Sequence, residues 1–209
     1  MDRHGGVKMR KLIVASNNAD KIKEIKEILK SIPVEILSLK EAGIGIDIEE
    51  TGSTFRENAY LKAKGISEIV EGAMVLADDS GLAVESLGGA PGIYSARFAG
   101  EHGNSKKNND KLLRTLEGKN AGERRASFIC AMVLVLEDGR ALDVEGRIDG
   151  IIAEKEKGAN GFGYDPVFFL EEYGMTFAEM DSETKNKISH RAKALEKIKV
   201  EMQKLVGVV

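Results

Sequence analysis

The stretch Val75 to Gly100, VLADDSGLAVESLGGAPGIYSARFAG, constrains this chain more than any other. Its apolar opening, Val75-Leu76-Ala77, reads as a buried strand that delivers two adjacent carboxylates, Asp78 and Asp79, to its end, where Ser80-Gly81 bends the chain. The carboxylates are thereby expected at a rim. Leu82-Ala83-Val84 resumes as strand, and Gly88, Gly89, Pro91 and Gly92 punctuate a tight loop ahead of Tyr94, Arg97 and Phe98. Neighbouring carboxylates repel and are costly to bury without partners, so a bound cation accounts for the pair. Asp-Asp-Ser-Gly is equally ordinary turn chemistry, and this stretch alone leaves both readings open.

A chain of 209 residues, 42% hydrophobic and 31% charged, can bury one sizeable core, in one domain or two closely joined lobes. The net charge of −3 argues against nucleic-acid binding through the overall field and leaves room for a local basic pocket, so an anionic ligand must be met by a few placed cations. The single cysteine, Cys130, lies in the apolar run Phe128 to Leu136 and reads as a small core side chain. A disulfide framework and a cysteine-based zinc site are both excluded. Residues 1–8 read as a mobile extension in which His4 is inert, ahead of a single domain of two lobes over residues 9–209. No apolar run has the length of a signal peptide or a membrane span, so a cytoplasmic enzyme or binding protein, with no membrane partner, is expected.

Taken in order, Leu12 to Ala15 reads as a strand that feeds a helix through Ser16-Asn17-Asn18, with Ile22, Ile25, Ile28, Leu29 and Ile32 at helical spacing. Backbone N–H groups at that helix start, its dipole and Lys21 would favour a phosphate; a plain cap with a solvated lysine has the same pattern. Val34 to Leu39 reads as a second strand, followed by a loop carrying Asp47, Glu49 and Glu50, which are either solvated or cation ligands near Asp79. Thr54 and Glu57 fit a capping box for a helix to about Val70, with Asn58 and Lys62 spaced i, i+4 on one face, available to a ligand or merely exposed. Ser105 to Glu117 reads as a charged surface helix. Ala126 to Glu137 and Ala141 to Ile152 form a hairpin around Asp138-Gly139.

The loop Gly158 to Pro166 holds three glycines, Phe162, Tyr164 and Asp165, and either ring suits stacking on a flat base or capping a core. Ser182 to Leu205 reads as one long helix whose first half concentrates Lys185, Lys187, His190, Arg191 and Lys193. Positive charge at a helix start opposes the dipole, a local conflict of the kind function imposes.

Five segments in order, SNNADK, EETGSTFRENAYLKA, ADDSGLAVESLGGAPGIYSARFAG, GFGYDPVFF and TKNKISHRAKAL, resemble the successive signatures of the inosine triphosphate pyrophosphatase family, whose bacterial members are XTP/dITP diphosphatases. The resemblance covers about Lys11 to Leu195. It implies an α/β fold with a long, mixed, strongly twisted central sheet, helices, two lobes flanking a nucleotide cleft, and a homodimer. It further implies Mg²⁺-dependent hydrolysis of ITP, dITP and XTP to the monophosphate and pyrophosphate.

Position by position, Ser16, Asn17, Asn18 and Lys21 match the family's phosphate-binding start, joined by Lys62. Asp79 matches the base and metal ligand, with Ser80 beside it on the substrate. The Glu49-Glu50 pair matches the second metal carboxylate, with Glu49 favoured. Phe162, Gly163, Tyr164 and Asp165 match the base-contacting loop, and Lys185, His190 and Arg191 the nucleoside contacts. The chain departs where bacterial relatives often show Thr-Gly-Asn: Asn17 replaces the permissive glycine. On this reading Asp79 or Asp78 accepts the proton of the attacking water, while His190 and Arg191 donate to the C6 oxygen that distinguishes hypoxanthine and xanthine from adenine.

Overall fold

The computed structural model describes residues 9–207; the expected extension over residues 1–8 lies outside them. Seven strands form one mixed sheet in the order β2-β1-β3-β4-β5-β6-β7. They are β1 (Arg10–Val14), β2 (Val34–Ser38), β3 (Ala73–Val84), β4 (Arg125–Val135), β5 (Ala141–Ile152), β6 (Phe168–Leu170) and β7 (Met175–Thr176). β1 runs parallel to β2 and β3, and the remaining pairings are antiparallel. The α/β class with a mixed sheet is therefore as expected. The Asp138-Gly139 hairpin forms too: the Leu136 amide donates to Arg140 O at 2.8 Å and the Gly139 amide to Leu136 O at 2.9 Å.

Period-two alternation along β3 sorts the core into layers. Met74 and Leu76 face the helices α1 (Ala19–Leu29) and α5 (His190–Val206) in a cluster with Leu12, Ile25, Leu29 and Leu195. Val75 and Ala77 point the other way, onto α2 (Phe55–Ser67), with Ala59, Ala63 and Ile66. Past the middle of the sheet a separate cluster joins Leu82 and Val84 to Phe128, Phe168, Phe177 and to Leu112 of α3 (Ser105–Thr115). Cys130 is fully buried in the first cluster, as its sequence context requires.

Four local expectations are corrected. β3 does not end at the carboxylates, because Ser80 and Gly81 stay in register with Cys130 and Ile129 of β4; Asp78 and Asp79 lie mid-strand and buried, away from any rim. The Thr54 cap forms, but Glu57 reaches back to Ser53 N and Oγ, both at 2.7 Å, not to the cap residue itself. α2 ends at Ser67, short of Val70. The long C-terminal helix breaks at Ser189, which is extended (ψ 159°) between α4 (Ser182–Ile188) and α5 and caps α5 by accepting from Ala192 N.

That break removes only part of the conflict with the helix dipole, because Arg191 and Lys193 still lie in the first turn of α5. Lys185 and Lys187 fall in the last turn of α4, where a cation is favoured.

Gly146 sets how closely α5 lies on β5. A Cβ there would sit 2.0 Å from His190 O and 2.6 Å from Ala194 N, both backbone atoms with no room to swing aside. Gly146→Ala should destabilise the fold by about 3 kcal/mol, lowering the melting temperature by roughly 6–12 °C. An unchanged thermal melt would refute that close approach.

Candidate active site

A cleft of about 690 Å³ opens where the sheet is incomplete. β1 stops with Val14 opposite Leu76, so from Ala77 onward β3 has a strand on one side only, until Ala83 meets Pro91 in an isolated bridge. Ligands of open α/β sheets settle at such points, beyond the ends of parallel strands where the sheet changes direction. The unpaired edge is served by side chains: Lys62 Nζ donates to the backbone oxygen of Asp78 at 2.6 Å.

On one wall, Ser16, Asn17 and Asn18 lead from β1 into α1. Asn18 Oδ1 accepts from the amides of Asp20 (3.0 Å) and Lys21 (3.1 Å), and the Asn18 amide donates to Ser16 Oγ at 3.2 Å. Asn17 Nδ2 lies 3.4 Å from Asp47 Oδ1. Among the described residues only glycines have positive φ, so asparagine at position 17 requires no left-handed backbone.

Alternation along β3 gives the two aspartates opposite fates. Asp79 shares the α2 face: it accepts from Asn58 Nδ2 at 3.0 Å and from the Ser80 amide at 2.8 Å, and it lines the cleft. Burial pushes its pKa up, against the lowering influence of Lys62, and the nearby Glu50 carboxylate pushes it up further. Asp78 shares the α1 and α5 face, fully buried, with Lys21 Nζ at 3.0 Å and an Arg191 nitrogen at 3.5 Å. Although burial opposes ionisation, the charges of Lys21 and Arg191 hold its carboxyl well below the usual range. Asp78 is thus a structural anion, which removes it as the alternative base.

Two further members complete the site: Asn58, which the sequence left open between a ligand and solvent, and Glu24, which it did not mark. Asn58, buried, accepts from the Gly52 amide at 2.8 Å while its other end holds Asp79, so it fixes the carboxylate's orientation. Glu24, among the alternating lysines and glutamates of α1, meets Lys185 at 3.1 Å and also pairs with Arg191. Its chain neighbours Lys23, Lys26 and Glu27 look the same on paper, and Arg191 is 167 positions away. Glu24 completes a run of alternating charge, Asp165–Lys185–Glu24–Arg191–Asp78–Lys21, that connects the glycine-rich loop to the first helix.

The far end of the cleft gathers Phe162, Gly163, Tyr164, Asp165, Lys185, His190 and Arg191. Asp165 Oδ2 accepts from the Phe162 amide at 2.8 Å and from Lys185 Nζ at 2.7 Å. Lys185 Nζ lies 4.7 Å from the centre of the Phe162 ring, and the Arg191 guanidinium 5.6 Å. The two aromatics diverge in role. Phe162 stays partly open, whereas Tyr164 is buried with its hydroxyl donating to Ser95 O at 2.9 Å, which favours an anchor over a stacking surface. His190, which as an isolated residue would be expected at the surface, is buried flat on Phe128 at 4.7 Å and 9°. Burial and its cationic neighbours drive its pKa far down, so the imidazole is neutral. His190 Nδ1 and Arg191 Nε are buried without a protein partner among the described residues.

Glu49 and Glu50 both line the cleft. Glu50 pairs with Lys62 at 2.6 Å and acts on Asp79, while Glu49 is exposed. No three metal-ligating side chains come together among the described residues. The donor set, carboxylates facing an open cleft, suits a hard cation that keeps much of its own hydration.

Fold and cleft define an α/β protein whose open sheet edge carries a cleft lined by paired cations, an aromatic loop and a buried carboxylate. Comparison with known proteins gives that class its family. The chain belongs to the Ham1 family, whose profile matches residues 12–201. It is 56% identical to the dITP/XTP pyrophosphatase of Clostridium perfringens over 91% of this chain and 96% of that protein, and 46% identical to that of Bacillus subtilis over 91% and 96%. Among solved structures, the Ham1 protein of Staphylococcus aureus superposes with a TM-score of 0.84 at 38% identity, covering 94% of this chain and all (100%) of that one. A dITP/XTP pyrophosphatase from Mycobacterium abscessus gives 0.74 at 40% identity, covering 90% and 98%. The family resemblance carried by the five motifs is borne out.

Proposed function

We infer that this protein is a hydrolase of non-standard purine nucleoside triphosphates, ITP, dITP and XTP, releasing the monophosphate and pyrophosphate and so keeping these nucleotides out of DNA and RNA. The observation that carries the reading is Asp79: a carboxylate of raised pKa, oriented by Asn58 and facing a cleft with cations at one end and a cation-flanked aromatic loop at the other.

The triphosphate runs past the N-terminus of α1, where the helix dipole and Lys21 meet its charge. Asp79 accepts a proton from the attacking water. Lys21 and Lys62 offset charge on the departing pyrophosphate, from positions already fixed by Asp78 and Glu50. Asp79 and Glu50 would hold Mg²⁺, with Glu49 at the rim; when bound, the ion supplies charge neutralisation and a more acidic water. Phe162 takes the face of the base. The unpartnered nitrogens of His190 and Arg191 meet its polar edge, and a neutral imidazole carries only one N–H, so its tautomer contributes to selection. Adenine would leave such a donor unpaired.

A homodimer, implied by the resemblance, is consistent with the exposure of Tyr94 (56%) and Tyr60 (46%); light scattering in solution would test it. Among the described residues no helix is long and apolar enough to cross a membrane, and a cytoplasmic setting, where the nucleotide pool lies, is the one proposed.

The test is product analysis. Pyrophosphate should appear from ITP and XTP but not from ATP, and chelation of divalent cations should abolish its release until Mg²⁺ is restored. Orthophosphate from all nucleotides would instead mark a general phosphatase, and ITP binding without turnover a nucleotide-binding module.

A further inference from the structure

Arg97 belongs to the motif that runs through the two aspartates, yet nothing above uses it. It lies in a short 3-10 helix, Gly92–Arg97, packed against β3 on the Asp79 side. A Cβ on Gly81 would fall 2.4 Å from Ser95 Oγ and 2.6 Å from Gly92 O, which shows how close that packing is. Ser95 pins the segment twice: its Oγ accepts from the Leu82 amide at 2.9 Å, and its carbonyl accepts from Tyr164 at 2.9 Å. Arg97 is therefore held beside the open stretch of the β3 edge, and it lines the same cleft as Ser16, Asn17, Asn18 and Lys21.

The other arginine and lysine cations lining the cleft are each matched by a carboxylate of the protein: Lys21 by Asp78, Lys62 by Glu50, Lys185 by Asp165, Arg191 by Glu24. Arg97 lines the same cleft, half-buried, and its guanidinium makes no hydrogen bond or ion pair among the described residues, although its backbone oxygen accepts from the Gly100 amide at 2.8 Å. The guanidinium lies over the face of Tyr94, 5.2 Å from the ring centre, which steadies it and leaves its N–H groups unused. A half-buried guanidinium with spare donors beside a cleft that takes a polyanion lacks a counter-charge, and a phosphate oxygen supplies one in the bidentate geometry that arginine favours.

We propose that Arg97 is a substrate-binding residue that contacts the triphosphate chain within the cleft it shares with Lys21. The proposal rests on the nucleotide-hydrolase reading. It assigns Arg97 to the phosphates that leave as pyrophosphate, because the base end of the cleft is already furnished by Phe162, His190 and Arg191.

Arg97→Gln and Arg97→Lys are compared with the wild type. Steady-state pyrophosphate release from ITP is measured, and calorimetric titrations are run with inorganic tripolyphosphate, pyrophosphate and IMP. In Arg97→Gln, KM for ITP and the Kd for tripolyphosphate and pyrophosphate should each rise roughly tenfold or more, the loss of one charge-assisted contact, while the Kd for IMP stays within about twofold. Arg97→Lys should recover part of the loss, since it keeps the charge and loses the fork. Equal weakening of IMP and pyrophosphate, no change in any ligand, or conversion to a smaller assembly in light scattering would each overturn the assignment. If the wild type binds ITP and does not cleave it, the hydrolase reading fails separately, and the tripolyphosphate titrations still decide the role of Arg97.

Discussion

Asp79→Asn is expected to lower kcat for pyrophosphate release from ITP by roughly 10²- to 10⁴-fold, the range lost when a positioned base is removed. Asparagine keeps the shape and discards the two properties the site uses: a basic lone pair facing the cleft and a negative charge for a cation. Stability should move little. The folded-state pKa of Asp79 is raised, so its ionisation works against the fold, and its contribution falls as pH rises from the unfolded value through the folded one. Removing the charge relieves that opposition. Against this, the new amide sets an N–H₂ group against a donor, because both Asn58 Nδ2 and the Ser80 amide donate to the present carboxylate. The two effects offset, and the unfolding free energy should stay within about 1 kcal/mol of wild type. Activity retained to within about tenfold would remove Asp79 from the reacting atoms.

Much of this site was legible because its motifs need residue types that an ordinary turn does not. Ser16 to Lys21, Asp79 and the Phe162 to Asp165 loop lie around one cleft although they are scattered over most of the chain. What the sequence could not convey was pairing. Ser80-Gly81 has the chemistry of a bend, yet β4 holds it in register from Ala126 to Val135, and ladder hydrogen bonds over that length override a local turn preference. Strand continuity in turn places Asp78 and Asp79 on opposite faces, so two residues that look interchangeable acquire different chemistry. Ser189 shows the converse. A helical stripe runs unbroken from Ile188 to Leu205 in the sequence, and only the extended backbone at Ser189 reveals that His190 and Arg191 open a new helix buried against the sheet.

The same substitution one residue earlier should have the opposite outcome. Asp78→Asn is expected to lower the unfolding free energy by about 3–5 kcal/mol, the usual cost of deleting one partner from a buried charge network. Asp78 is fully buried beside Lys21 and Arg191, and Ser80 Oγ donates to it at 3.2 Å. Without its charge, among the described residues Arg191 keeps Glu24 as its ion-pair partner, and Lys21 has none left. Both cations belong to the ligand site, so substrate binding should weaken as well. The pH dependence has a definite sign. The folded-state pKa lies below the unfolded value near 3.8, so the stabilisation is fully present above that value and is lost only as pH falls through the folded one. Urea unfolding near neutral pH measures the effect: the midpoint should fall with an unchanged slope. If Asp78→Asn unfolded at the wild-type midpoint, the network would contribute nothing net to the fold, and its place would lie solely in positioning Lys21 and Arg191 for the ligand.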